Sequence, residues 1–311
     1  MLPSLFNPSN DMALAANVRQ YFPPQRIQQM ESDLARLSRF WDEGPWGWSL
    51  ATRQRYLRMG IPADQLPSDE WLAELRRLSS REFGVSYYDG ICRTYKAYDT
   101  YGIIPCQARF CTSLDEVKLS IFNYKVSIIK SPWSSSGRGN IVVNDRPDDK
   151  TAARIERIIR QQGGIVVEPY YANKALDFAM EFWVEDGQCR FLGYSVFFAD
   201  ETGHYGGNCV ESQEQLQQRI ALPDDLLRSL VEHHRRELAQ LNYRGPVGID
   251  MMRLSDGRVH PCVEINFRMT MGLLALLLFD RGVRDDQLLA GRPDRGFAAA
   301  ISQGRLILYQ T

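Results

Sequence analysis

Glu264-Ile265-Asn266-Phe267-Arg268 is the stretch whose reading decides the fold. Alternate residues of an extended strand share a face, so Glu264, Asn266 and Arg268 fall on one side and Val263, Ile265 and Phe267 on the other. Taken alone, such a strand reads first as one with a solvated polar face. Asp250 shifts that balance. It stands in the apolar run Val247 to Met252, where a carboxylate needs a partner. Asp250 and Glu264 are fourteen residues apart, so a facing pair needs a loop with an odd number of residues. A three-residue loop, Asp256 to Arg258, with Gly257 free to take positive φ, satisfies this. The two side chains then lie about 5 Å apart at Cβ. A two-residue loop at Asp256-Gly257 flips one strand and separates them. Two carboxylates and the amide oxygen of Asn266 form a hard-oxygen site suited to one or two magnesium ions that also hold phosphates.

Far upstream, Val126-Ser127-Ile128-Ile129-Lys130 has strand character, and its lysine opens the loop Ser131-Pro132-Trp133-Ser134-Ser135-Ser136-Gly137-Arg138-Gly139. Glycines let backbone N–H groups approach an anion, and successive N–H groups make a nest for phosphate. Lys130 adds a point charge and Arg138 a forked one. The loop matches neither the Walker A pattern nor Gly-x-Gly-x-x-Gly. An exposed Ser/Gly hairpin tip has the same composition, so this loop alone leaves both readings open.

The intervening pattern alternates strands and helices. Asp148 to Gln162 reads as a helix and Gly164 to Tyr170 as a buried strand. Phe178 to Val184 and Cys189 to Phe198 read as strands joined through Asp186-Gly187, a strong hairpin signal. Pro223 to Tyr243 has an amphipathic helical period. Before residue 100, helices are expected over Met12 to Arg39 (broken at Pro23-Pro24), Ala51 to Gly60 and Ser68 to Arg81. Trp41 to Ser49 is expected to be a packed loop or a short strand. The fold class is α/β (α+β).

The chain has 311 residues, which sets a prior of roughly two domains. Its 44% hydrophobic and 24% charged content is that of an ordinary globular protein. A net charge of −1 gives no general reason to expect nucleic acid or an acidic membrane as partner. The six cysteines form no Cys-x-x-Cys pair, and scattered thiols in a reducing compartment follow. Met1 to Asn10 lacks the basic and apolar segments of a secretory leader. The apolar stretch Leu273 to Phe279 is too short to span a bilayer. A cytoplasmic location is expected.

Taken in order, Ile128-Ile129-Lys130, the Ser/Gly-Arg-Gly loop, Val166-Val167-Glu168-Pro169-Tyr170, the strand Asp177-Phe178-Ala179-Met180-Glu181, Gly248-Ile249-Asp250 and Glu264-Ile265-Asn266-x-Arg268 resemble the ordered signature of the ATP-grasp enzymes. The resemblance spans about Gly102 to Gly272. It implies an ATP-grasp fold behind a small N-terminal Rossmann-like domain, with boundaries at 1–105 and 106–311. The grasp region divides into a small lobe over about 106–168 and a large one over about 169–311. By the same resemblance Lys130 touches the nucleotide phosphates, and Ser134, Ser135, Ser136, Gly137, Arg138 and Gly139 close over them. Glu168 and Tyr170 read the adenine, and Asp177 lies near the ribose. Asp250, Glu264 and Asn266 hold magnesium, with manganese as a substitute, and Arg268 steadies charge on the transferring phosphoryl group or acyl phosphate. The family's second phosphate-binding lysine has no clear match among Lys96, Arg93 and Arg81.

The implied activity is ligation of a carboxylate to an amine or thiol through an acyl phosphate, with ATP consumed and ADP and phosphate released. The expected partners are small-molecule carboxylate and amine substrates, and a homodimer is compatible with the family. A kinase that phosphorylates another acceptor, or a nucleotide-binding module without turnover, are the alternatives. Two weaker signals remain. His204, Tyr205 and Asn208, in a Gly-rich segment after a strand, read as a substrate-contacting loop or a plain connection. Asn7, after the first apolar run, stands where open α/β sheets bind ligands, while Asn10 or Asp11 reads as a helix cap.

Overall fold

The computed structural model describes residues 2–95, 102–134, 139–199, 205–283, 287–291 and 296–310. Two antiparallel sheets organise it. The smaller is built from β1 (Arg109–Cys111), β2 (Val126–Lys130), β3 (Ile141–Asn144) and β4 (Ile165–Pro169), in the order β1-β4-β2-β3. Helices α6 (Leu114–Phe122) and α7 (Asp149–Gln162) cover it. Both start on a side-chain cap: Ser113 accepts from the Glu116 N–H, and Asp148 from the Thr151 N–H. Val117, Ile121, Ile155 and Ile158 then pack onto Ile129, Ile165 and Val167.

The larger sheet has eight strands: β5 (Lys174–Glu185), β6 (Gln188–Ala199), β7 (Tyr205–Cys209), β8 (Gly245–Leu254), β9 (Val259–Asn266), β10 (Gln287–Gly291), β11 (Phe297–Ser302) and β12 (Arg305–Gln310). Their order is β10-β11-β12-β7-β6-β5-β8-β9. Asp186 (φ 51°) and Gly187 (φ 72°) make the tight β5–β6 turn, both residues left-handed as a twisted two-residue hairpin requires. Helix α8 (Gln213–Ile220) opens with a capping box between Ser212 and Gln215. Helix α9 (Asp224–Ala239) lays Leu227, Leu230 and Leu238 on the core, with both His233 and His234 buried among aromatic rings. Leu273 to Phe279 lies within helix α10 (Met271–Asp280), which is buried on nearly all sides. No helix among the described residues is long and apolar enough to cross a membrane.

The β8–β9 turn departs from the expected register in an instructive way. It holds three residues, but they are Ser255 to Gly257: the Leu254 N–H donates to the Arg258 carbonyl at 2.8 Å, and Arg253 pairs with Val259. Continued without change, that register sets Asp250 opposite Cys262. It is interrupted. Between the pairs Met252–His260 and Asp250–Glu264, one residue of β8 spans three of β9, including Pro261. Proline has no N–H to give the ladder, so the irregularity falls where the ladder is weakest. The excess is two residues, which keeps the alternation of faces intact.

Residues 2–95 differ from the Rossmann-like α/β domain expected over 1–105. They form helices α1 (Asn10–Ala16), α2 (Gln25–Asp33), α3 (Leu50–Arg58), α4 (Asp69–Leu78) and α5 (Arg81–Tyr95), with short 3-10 turns between. The run Leu2 to Phe6 contributes one isolated bridge, Leu5 to Pro45, and not a strand. The reason lies in the partners available. Leu72, Leu75, Leu78, Tyr88 and Ile91 join the core of the large sheet, and Phe6, Leu34, Leu37, Trp41 and Trp46 pack with α10 and β11. The N-terminal apolar residues are therefore buried against the rest of the chain, where a separate sheet would gain nothing.

Candidate functional site

A cavity of about 1350 Å³ lies between the two sheets and the N-terminal helices. Sheet register decides what lines it. Asp177, Ala179 and Glu181 alternate on β5 and share a face with Asp250 of the neighbouring β8, which pairs with Ala179. Ser195 and Phe197 of β6 continue the same face, paired with Ala179 and Asp177. On the other side of Asp250 stands Glu264, its direct partner on β9. The Asn266 amide donates to Asp250 Oδ2 at 3.1 Å.

These acids are crowded. Burial, then the charges of Glu264 and Glu181, push the Asp250 carboxyl well above the usual carboxylate range, against the opposing pull of Arg268 and the Asn266 amide. Glu181 is 1% exposed and has no cation in contact among the described residues. Ser195 donates to its Oε1 and Thr270 to its Oε2, each at 2.9 Å, yet burial still raises it to about 7. A Cβ on Gly272 would lie 2.2 Å from Glu181 Oε1 and from Ser195 Oγ, so only glycine lets this carboxylate sit where it does.

Lys130 ends β2 and reaches Glu168 on β4 in a buried ion pair. Both line the cavity, with Ser134, Tyr170 and Asp177. The Asp177 carboxylate accepts from Lys174 at 2.6 Å, and burial raises its pKa against that pull. After Lys130 the chain is anchored by Trp133. Its indole N–H donates to the Arg76 carbonyl at 3.0 Å, and the Arg76 guanidinium lies 3.7 Å from its ring centroid. Gly139, at φ 106°, closes the loop in a conformation that favours glycine. Ser135, Ser136, Gly137 and Arg138 lie outside the described residues.

Arg81 begins α5 and enters the site. Its guanidinium donates to Glu264 at 2.7 Å, to the Ser131 carbonyl at 2.6 Å and to Ser134 Oγ at 2.8 Å. Of the other two basic candidates, Arg93 pairs with Asp89 on an exposed helix face and Lys96 lies outside the described residues. Arg268 is gripped by Asp11 of α1: Nε donates to Oδ1 at 3.0 Å and NH2 to Oδ2 at 2.8 Å. Asp11 thus does not cap its helix; Ser9 occupies the cap position and no side chain there accepts from the helix N–H groups.

Two of the weaker expectations change. Asn7 stands outside the cavity lining; its amide donates to the Gly47 carbonyl at 2.9 Å and to Thr52 at 3.1 Å, holding the Trp-rich loop. Tyr205 and Asn208 belong to a strand, not a loop. Both line the cavity, and Tyr205 donates to Asn208 Oδ1 at 2.7 Å. His204 lies outside the described residues. The sequence gives Glu181 no role, leaves Arg81 as one of three basic candidates and reads Asp11 as a candidate helix cap. For Glu181 a signal existed, the Asp177-Ala179-Glu181 alternation; for Asp11, 257 positions from Arg268, none did.

Among the described residues no group of three or more His, Cys, Asp or Glu side chains is arranged to hold a metal ion. The donor set is smaller, two facing carboxylates and an amide, and its chemistry fits a hard cation. Asp250 and Glu264 would hold a divalent ion, and its charge would offset the like-charge repulsion that adds to burial in raising Asp250.

No family profile matches the chain. One curated relative, the [butirosin acyl-carrier protein]–L-glutamate ligase of Niallia circulans, is 20% identical over 166 residues, 52% of this chain and 38% of that protein. The D-alanyl-alanine synthetase A structure from Vibrio cholerae is 16% identical, with a TM-score of 0.43 over 67% of this chain and 60% of that one. The chain thus spans less than two thirds of the length of either. The biotin carboxylase complex with β,γ-ATP from Campylobacter jejuni is 12% identical, and covers 92% of this chain and 72% of its own at a TM-score of 0.52. At that identity the likeness speaks for architecture: the chain has the ATP-grasp fold.

Proposed function

We propose that the chain is an ATP- and magnesium-dependent ligase that activates a carboxylate as an acyl phosphate and joins it to an amine or thiol, releasing ADP and phosphate. The observation that carries this reading is the facing of Asp250 and Glu264 on a cavity that Lys130 and Arg268 also line. Asp250, Glu264 and Asn266 would hold magnesium, which neutralises phosphate charge when bound. Lys130, released from Glu168 or shared with it, offers its ammonium to the nucleotide phosphates. Glu168 and Tyr170 flank the adenine and Asp177 the ribose, while Ser134 and Gly139 bound the segment that covers the phosphates. Arg268, held by Asp11, directs its remaining N–H groups toward the carboxylate and its phosphorylated form. Arg81, already on Ser134 and Glu264, is the second basic group.

The ligase name of the Niallia circulans relative supports this choice over phosphorylation of another acceptor. The test is ADP release with pools of carboxylates and amines, with hydroxylamine as a trap. Hydroxamate formation that disappears in Glu264→Ala is the expected result. ADP without hydroxamate would mean a kinase, and no ADP with retained nucleotide binding would mean a binding module. Full turnover by Glu264→Ala would remove the site assignment.

A further inference from the structure

The cavity is larger than the roughly 300–1000 Å³ of an ordinary small-molecule site. Its lining also changes character along its length. Near β8 and β9 it is acidic and polar. Beyond Ser195 its lining passes from Phe197 through Tyr205 and Asn208 of β7 to Leu308 of β12, and Met12, Ala15 and Tyr21 of the N-terminal region line the cavity as well. From β8 to β12 the sheet order crosses four strand spacings, about 19 Å at the usual 4.8 Å each. The far arm is therefore remote from the paired carboxylates and draws part of its lining from outside the motif region, from helix α1 and the C-terminal hairpin. Asp11 and Met12 are consecutive on α1; the first grips Arg268 and the second lines the arm. Arg268 thus stands on the acidic side of the cavity, joined through α1 to residues that line the arm, and a cation there selects an anionic end group.

We propose that this arm seats the apolar chain of the carboxylate substrate, whose carboxyl end meets Arg268. This rests on the ligase reading above and adds to it a substrate class: carboxylates bearing an extended apolar tail. Burying such a tail against Phe197, Leu308, Met12 and Ala15 removes apolar surface from water, and each buried methylene should tighten binding about fourfold. A carboxylate too short to enter the arm forgoes that contribution.

The test uses the full chain, with hydroxylamine as nucleophile and acetate, octanoate and glutamate as carboxylates. Octanoate should be used with a kcat/KM at least tenfold above acetate and glutamate. Ala15→Trp, which fills the arm, should lower octanoate kcat/KM about tenfold, leaving acetate within twofold and the affinity for a non-hydrolysable ATP analogue unchanged. Met12→Lys should act in the same direction and guards against a folding artefact in the first variant. Equal use of the three carboxylates, preference for glutamate, or octanoate kinetics untouched by Ala15→Trp would each overturn the arm while leaving the ligase reading standing. If no carboxylate supports turnover, the ligase reading fails and the arm is tested by direct titration. Octanoate binding weakened by Ala15→Trp then supports it, and no octanoate binding overturns it.

Discussion

On the small sheet, Lys130 of β2 lies against Glu168 of β4, a cation on a carboxylate, both buried. On the large sheet, Asp250 faces Glu264, a carboxylate on a carboxylate, and Glu181 sits nearby held by the hydroxyls of Ser195 and Thr270. The first arrangement is neutral by itself. The second is not: both Asp250 and Glu181 are pushed above the usual carboxylate range. One wall of the cavity is thus complete as folded, and the other is complete only with protons or a cation. The proposed magnesium site lies on the wall where carboxylates outnumber the guanidinium groups of Arg81 and Arg268, which is the physical content of assigning it there.

The largest effect should come from breaking the neutral wall. Lys130→Met leaves Glu168 buried and unpaired, and urea unfolding should register a loss of roughly 3–5 kcal/mol. Lys130→Met with Glu168→Leu should recover most of that stability without recovering turnover. A single variant as stable as the native chain would mean the pair is not buried as described. The acid-rich wall should show itself in pH dependence. Folded Glu181 keeps its proton up to about pH 7, against an ordinary 4.5 when unfolded, so between those values the folded state binds more protons. Stability then falls by about 3 kcal/mol as pH rises from 4.5 to 7 and levels off above. Glu181→Gln should remove that share of the slope and leave the share of Asp250, as measured by unfolding at several pH values; an unchanged slope would assign it to another group.

Smaller effects sharpen the contrast. Glu264→Ala should reduce ADP release about a hundredfold or more, and it should remove the rise in melting temperature that magnesium gives the native chain. Magnesium stabilisation that persists in this variant would place the ion elsewhere. Last, Asp11→Asn keeps the shape but loosens the grip on Arg268. A kcat about tenfold lower with an unchanged KM for ATP is expected, since one charge-assisted contact is worth about 1.5–3 kcal/mol. A raised KM for ATP with normal kcat would place Arg268 on the nucleotide instead.

Much of this was legible in the residues. The strand Val126–Lys130, the turn at Asp186-Gly187 and the facing of Asp250 with Glu264 follow from local pattern and parity, and local pattern is what a single sequence carries. The turn of β8–β9 was misplaced by one residue because the irregularity around Pro261 compensates for it, and neither change alone preserves the pairing. The helices of the N-terminal region were legible and the sheet expected beside them is not there, because apolar periods do not announce their partners. Arg81 with Glu264 and Asp11 with Arg268 join residues 183 and 257 positions apart, a distance over which pattern gives no information.

The two-residue excess at Pro261 to Val263 bears on how this hairpin can change over generations. Face alternation has a period of two, so the length of the segment between Asp250 and Glu264 has a parity that must be kept. Gaining or losing two residues there slides the acids along one face, and a compensating irregularity can restore their pairing. Gaining or losing one turns a carboxylate away from its partner altogether. Length variation in this hairpin should therefore be tolerated in pairs and lethal to the site in single steps, a rule set by geometry whatever the residues in the loop.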